Sequence, residues 1–250
     1  MNVSVFSIVN ALASVLVSAA AASASCPAPI PMALPPEASA NLRSFALSPS
    51  ALDVFPDADI LSDSLPLLAQ YRAWATPLAG MTDPILLLKR QRTLYARVIP
   101  QEVPRFDVLI DGRAGKIGEM SCLEATLLEE HLKFGFEKKR ETEFGAYVLD
   151  CGSELRARFQ TSDQAGVSTD RVVQALVVSD LAEGCVLRAH LHNHPFDFKN
   201  HYGDIAGTVI PSAPDMQTYR NLRATKSMQE ARLTNGFSTL ILQSAEFDEL

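Results

Sequence analysis

The sequence predicts a sandwiched α/β or α+β domain in its C-terminal half. Three observations carry this. The 250 residues are 47% hydrophobic and 20% charged, a globular balance that excludes an intrinsically disordered chain. After Gly118, segments of helical apolar spacing alternate with short apolar strands over about 130 residues, the pattern of a sheet covered by helices. Four of the five histidines, His190, His192, His194 and His201, fall within twelve residues at the end of one such strand.

The N-terminus reads separately. No Asp, Glu, Lys or Arg precedes Glu37, and Val3 to Ala22 is almost wholly Ala, Val, Leu, Ile, Phe and Ser. Ala22-Ser23-Ala24 follows, an A-x-A pattern of the kind that precedes signal-peptidase cleavage. Residues 1–24 are read as a signal peptide without a basic n-region, which implies an exported protein, periplasmic or secreted. The alternative is a membrane anchor over residues 3–22, close to the ~20 residues that span a bilayer but weakened by Ser, Ala and Asn10; a buried apolar helix is a third reading. Cys26 beside the cleavage point raises lipidation, yet Ser23-Ala24-Ser25 lacks the large aliphatic residue of a lipobox. An oxidising compartment permits disulfides among Cys26, Cys122, Cys151 and Cys185, with three pairings open. The last three lie in or beside apolar segments, where a free Cys packs as a small hydrophobe. No C-x-x-C pair occurs, which argues against a zinc knuckle.

Residues 25–118 read as a linker and accessory region of unassigned function. Pro27–Pro36 is an extended linker. Leu65–Ala75 has helical spacing with Pro66 in its first turn, and Pro84–Arg92 reads as a second helix. Leu94–Ile99 and Phe106–Ile110 read as strands, the second ending at the turn Asp111-Gly112. The remaining domain, 119–250, begins with a helix over Cys122–Lys139, acids early and lysines late. Strands follow at Phe144–Leu149 and Glu154–Gln160. Ser168-Thr169-Asp170 offers N-caps for a helix carrying Val172, Val173, Leu176 and Val177. Gly184 ends it, Cys185–Leu191 is the next strand, Met216–Leu233 a helix, Asn235-Gly236 a turn and Phe237–Leu242 a last strand.

Chemistry concentrates after the strand at 185–191. In an extended chain, side chains two apart share a face, so His192 and His194 aim both imidazoles at one point with Asn193 turned away. Neutral imidazoles are good zinc ligands, and a catalytic zinc takes three protein ligands and keeps a position for water. Pro211-Ser212-Ala213-Pro214-Asp215 stands before an apolar-periodic helix and offers Asp215 as the third ligand, with Ser212 beside it. The same S-x-x-D is a helix capping box, worth about 1 kcal/mol and nothing more. Glu141 and Glu143, ahead of the strand at 144, supply a carboxylate for general-base work. His190 shares the face of His192 as a supporting partner or a competing ligand. His131, alone on its helix, reads as structural.

The order Glu, then H-x-H-P, then S-x-x-D resembles the JAB/MPN (JAMM) metallopeptidase domain, and more closely its RadC-type branch. Glu143-Phe144 leading to Leu149-Asp150, Ser168-Thr169-Asp170-Arg171-Val172-Val173 opening a helix, and a strand entering His192-Asn193-His194-Pro195 follow that branch in order, across residues 120–245. The resemblance implies a JAB/MPN-like, cytidine-deaminase-like fold: a mixed sheet flanked by helices. It implies a zinc-dependent peptidase or isopeptidase, with Zn2+ on His192, His194 and Asp215, Glu143 as acid/base and Ser212 stabilising the tetrahedral intermediate. Glu143 is preferred to Glu141 because Phe144 and the strand follow it directly. The chain departs from the compact family motif in its long segment between His194 and Asp215, where His201 and Asp204 compete as ligands.

The substrate implied is a peptide or protein, isopeptide-linked or not. The other reading is a catalytically silent RadC-like binding module with a protein or nucleic-acid partner. A net charge of −7 and the export signal argue against nucleic acid, and a membrane enters only through an uncleaved N-terminus. A structural envelope protein, with SAPD only a cap, is the blandest reading.

Overall fold

The computed structural model describes residues 25–135, 142–162, 170–196 and 206–250. In chain order these form β1 (Ile30–Pro31), β2 (Leu42–Leu47), α1 (Ala58–Ser64), α2 (Pro66–Ala79), α3 (Pro84–Val98), α4 (Val103–Ile110), β3 (Lys116–Glu119) and α5 (Cys122–Gly135). The second half adds β4 (Phe144–Asp150), β5 (Leu155–Thr161), α6 (Arg171–Ala182), β6 (Val186–Asn193), α7 (Ala213–Lys226), β7 (Glu230–Thr234) and β8 (Ser238–Gln243). The strands form one sheet in the order β1-β2-β5-β4-β6-β7-β8-β3. Only β6 and β7 run parallel; every other neighbouring pair is antiparallel. The chain is thus mixed α/β, with a mixed sheet flanked by helices.

Period-two alternation sorts the core. Phe144, Ala146 and Val148 of β4 join Ala157 and Phe159 of β5 in one cluster with Leu68 of α2 and Leu127 of α5. Tyr147 and Leu149, pointing the other way, pack with Val173 and Val177 of α6 and Met216, Tyr219 and Leu222 of α7. We call these the α5 face and the α7 face. A parallel neighbour cannot be reached by a hairpin, so the chain leaves the end of β6, returns through α7 and enters β7. The end of β6 and the start of α7 therefore meet.

Several elements differ from their sequence expectations. Leu94–Ile99 is not a strand but the end of α3. Leu87, Leu88 and Gln91 bury one helical stripe, and the helix stops only before Pro100, which has no N–H to continue it. Phe106–Ile110 belongs to α4, which begins at Val103 with Pro104 in its first turn and buries Phe106 and Leu109 three residues apart. The expected helix 216–233 is a helix and then a strand. Ser227 ends α7 in the left-handed region, at φ 52°, and Ala231 and Leu233 then alternate into the sheet beside His190 and His192.

The segment 25–118 contributes to the same sheet. β2 pairs along its whole length with β5, β1 pairs with β2 inside the expected linker, and β3 pairs with β8. No cysteine is free: Cys26 joins Cys122 and Cys151 joins Cys185. The packing of three of them as free small hydrophobes is thereby corrected, and the Cys26 thiol is committed to a disulfide rather than a lipid. No described helix is long and apolar enough to cross a membrane. The expected signal or anchor, residues 1–24, lies outside the described residues, as do Glu141, Ser168, Thr169, His201 and Asp204.

Candidate metal centre

β6 carries the histidines to the site by pleat alone. His190 lies opposite Tyr147 and His192 opposite Gly145, all on the α7 face. A bulge at Arg188, between the pairs Val148–Ala189 and Leu149–Leu187, precedes them; such bulges re-aim the side chains that follow. His194 lies just past the strand, held in line by its N–H to the Thr234 carbonyl at 2.9 Å.

Asp215 comes from the other side, in the first turn of α7. Ser212 is the N-cap and the capping box is complete. Asp215 Oδ2 accepts from the Ser212 N–H at 2.7 Å and from its hydroxyl at 2.6 Å, while the Ser212 oxygen accepts from the Asp215 N–H at 3.3 Å. The cap does not compete with the site; it aims the carboxylate. Asp215 Oδ1 lies 3.5 Å from His192 Nε2 and Oδ2 lies 3.5 Å from His194 Nε2, and one ligand atom from each of the three residues falls within 4.8 Å of the others.

Each 3.5 Å separation is the right size for an ion between that imidazole and that carboxylate oxygen. Ligand atoms bonded at ~2.0–2.1 Å to one tetrahedral zinc stand roughly 3.4 Å apart. The second nitrogens support the same assignment. His194 Nδ1 donates to the Thr208 carbonyl at 3.0 Å, which leaves the Nε2 lone pair facing Asp215. His192 Nδ1 meets the Tyr219 hydroxyl at 3.1 Å, whereas its buried Nε2 has no hydrogen-bond partner among the described residues. Supporting bonds of this kind fix the tautomer of a metal-binding imidazole. An unmet buried polar atom costs about 1–3 kcal/mol, so an ion or group that meets it there is stabilised.

Charge in the cavity follows from these neighbours. Burial opposes ionisation of Asp215, but the His192 and His194 rings outweigh it and hold the carboxyl well below the carboxylate range. Burial lowers His194, but Asp215 and then Glu143 more than reverse this and raise it above the ordinary histidine value. His190 is pushed down to about 3, chiefly by burial and then by His192. Its Nδ1 has no hydrogen-bond partner among the described residues, and its ring stands edge-on to Tyr147 with centroids 5.1 Å apart. It lines the cavity without joining the three ligand residues.

All five residues singled out in the sequence, Glu143, His192, His194, Ser212 and Asp215, line one cavity of about 450 Å³. His131 lies on the opposite face, with Nδ1 on Thr161 Oγ1 at 2.6 Å and Nε2 on the Thr142 carbonyl at 3.1 Å. Two residues missed in the sequence matter. Tyr219 stands one helical turn after Asp215 on the same face of α7, a spacing that pointed to it. Asn193, turned to the α5 face, accepts from the Phe144 N–H at 2.8 Å and donates to the Thr142 carbonyl at 3.3 Å. It brackets Glu143 between two backbone anchors, and nothing in the H-x-H pattern announces that. No known family, curated protein or solved structure matches the chain.

Proposed function

We propose that the chain is a zinc-dependent peptidase or isopeptidase of JAB/MPN type, with His192, His194 and Asp215 as the metal ligands. The observation that carries this is the convergence of one ligand atom from each of His192, His194 and Asp215, with the buried His192 Nε2 making no hydrogen bond among the described residues. A bound zinc supplies Lewis acidity, lowering the pKa of a water and polarising a carbonyl. Glu143, in the same cavity, is the group that takes the proton of the attacking water and returns it to the leaving amine. Asn193 fixes the backbone on both sides of that carboxylate, so its approach is set before substrate arrives. The Ser212 hydroxyl donates its hydrogen bond to Asp215 Oδ2, which makes holding that carboxylate its first task; donation to a developing oxyanion requires the hydroxyl to turn. Tyr219 and Thr208 orient the two imidazoles.

Two imidazoles and one carboxylate are a donor set that catalytic zinc sites use, and zinc is the ion that the peptidase reading requires. The two disulfides support export into an oxidising space, which favours an extracytoplasmic peptide or protein as substrate over nucleic acid. The test is hydrolysis of an unfolded protein such as casein by zinc-loaded protein and by Glu143→Ala. Loss of at least ~100-fold in rate with zinc content unchanged supports the reading. Equal rates in the two proteins remove Glu143 from it, and zinc-loaded wild type that cleaves nothing favours a silent binding module.

A further inference from the structure

The cavity that holds the three ligand residues has a neighbour on the far side of Tyr147 and Thr218. A second cavity, of about 420 Å³, lies between α6 and α7 and shares Tyr147 and Thr218 with the first. Along α7 its wall is Thr218, Asn221, Thr225 and Lys226, continuing the stripe begun by Pro214 at the metal end. Gln174 and Val178 of α6 face them. Val178 leaves 54% of its surface exposed. The side-chain amides of Gln174 and Asn221 have no protein partner among the described residues. Each offers a donor and an acceptor, the complement of a peptide group.

We propose that this cleft is the subsite for the substrate's extended chain, and that Lys226 reads a carboxylate at its far end; the proposal rests on the peptidase reading of the adjoining site. Pro214 to Lys226 spans roughly 18 Å at ~1.5 Å of helix rise per residue, which an extended chain covers with about five residues at ~3.3 Å each. Charge supplies the end point. Two basic residues stand in the last turn of α7. Arg223 is engaged by Asp248 at 3.0 Å, whereas Lys226 lines the cleft and has no acidic partner among the described residues. The carboxylate belongs to an Asp or Glu side chain or to the chain's own C-terminus.

The test measures anisotropy of three fluorescein-labelled pentapeptide pools on the full chain stripped of metal. One pool ends in a free carboxylate, one in a carboxamide, and one in a carboxamide preceded by Asp. We expect the two acidic pools to bind about fivefold more tightly than the neutral one, the scale of an exposed ion pair, with the difference shrinking at high salt. Whether one or both acidic pools gain identifies the source of the carboxylate. Lys226→Glu erases the preference, Lys226→Arg keeps it, and Asn221→Trp weakens all pools by filling the cleft. Equal binding of the pools to wild type, or a preference that survives Lys226→Glu, overturns the proposal. Zinc-loaded protein is then given the unlabelled pools. Cleavage without any effect of the cleft variants overturns the subsite alone, whereas the expected binding without cleavage keeps the cleft as a peptide-binding site and removes the peptidase reading, and with it the cleft's role as a substrate subsite.

Discussion

His131 and His192 are buried to nearly the same degree, at 3% and 5% exposure, on opposite faces of one sheet. On the α5 face both nitrogens of His131 are met by protein groups, Thr161 and Thr142. On the α7 face His192 meets Tyr219 with one nitrogen, while the other faces Asp215 across 3.5 Å without a hydrogen bond among the described residues. The charged groups divide similarly. Arg232, buried on the α5 face, is enclosed by Glu124 and by Glu230 at 2.6 Å, a closed set. Asp215 faces two imidazoles across 3.5 Å on each side, an arrangement with room for an ion. Burial alone does not mark function; here an incompletely bonded buried imidazole that converges with two other ligand-type side chains does.

The largest effect that sharpens this contrast is acid unfolding. Burial holds His131 down to about 4, against an ordinary value of 6.5, with the Thr142 hydrogen bond opposing it. The unfolded chain therefore takes a proton near pH 6.5 that the folded chain refuses until near pH 4. Stability falls as pH drops through that window, by as much as about 3 kcal/mol from this group. Urea unfolding at pH 7 and 4.5 should show a shallower loss for His131→Leu than for wild type; equal slopes would show that His131 is not the closed group described. The next effect belongs to the open face. Zinc at ~100 times its Kd should stabilise wild type by roughly 2.7 kcal/mol. Thermal melts should show that gain kept in His131→Leu and absent in His192→Ala; a gain that survives His192→Ala would put the metal elsewhere. The smallest effect crosses the sheet. Asn193→Ala should cost ~1–3 kcal/mol by orphaning the Phe144 N–H and should slow hydrolysis while zinc binding stays intact. Unchanged turnover would mean that Glu143 needs no anchor from the α5 face.

The site was more legible in the sequence than the fold around it. H-x-H at a strand end and S-x-x-D at a helix start carry their own geometry, because period two and the capping box each fix a side-chain direction within a few residues. The two readings of Ser212 and Asp215, cap or ligand, turned out to be compatible, since the cap positions the carboxylate. Distant pairing was not legible. β2 lies far from β5 in the chain, and no local pattern marks Leu42–Leu47 as its partner. The ends of α3 and α4 were misread because five or six mostly apolar residues satisfy strand and helix alike, and flanking prolines were the better guide. Ser227 hid the end of α7, because a left-handed turn at a residue other than glycine leaves no mark in the sequence.

The central claim is that His192, His194 and Asp215 hold a metal ion. Elemental analysis of the full chain purified without chelator, beside His192→Ala and Asp215→Ala, tests it most directly. The account predicts about one zinc per chain in wild type, the single-ion stoichiometry of three ligands around one open position, and a small fraction of that in either variant. Wild type without zinc, or variants that retain it in full, would contradict it.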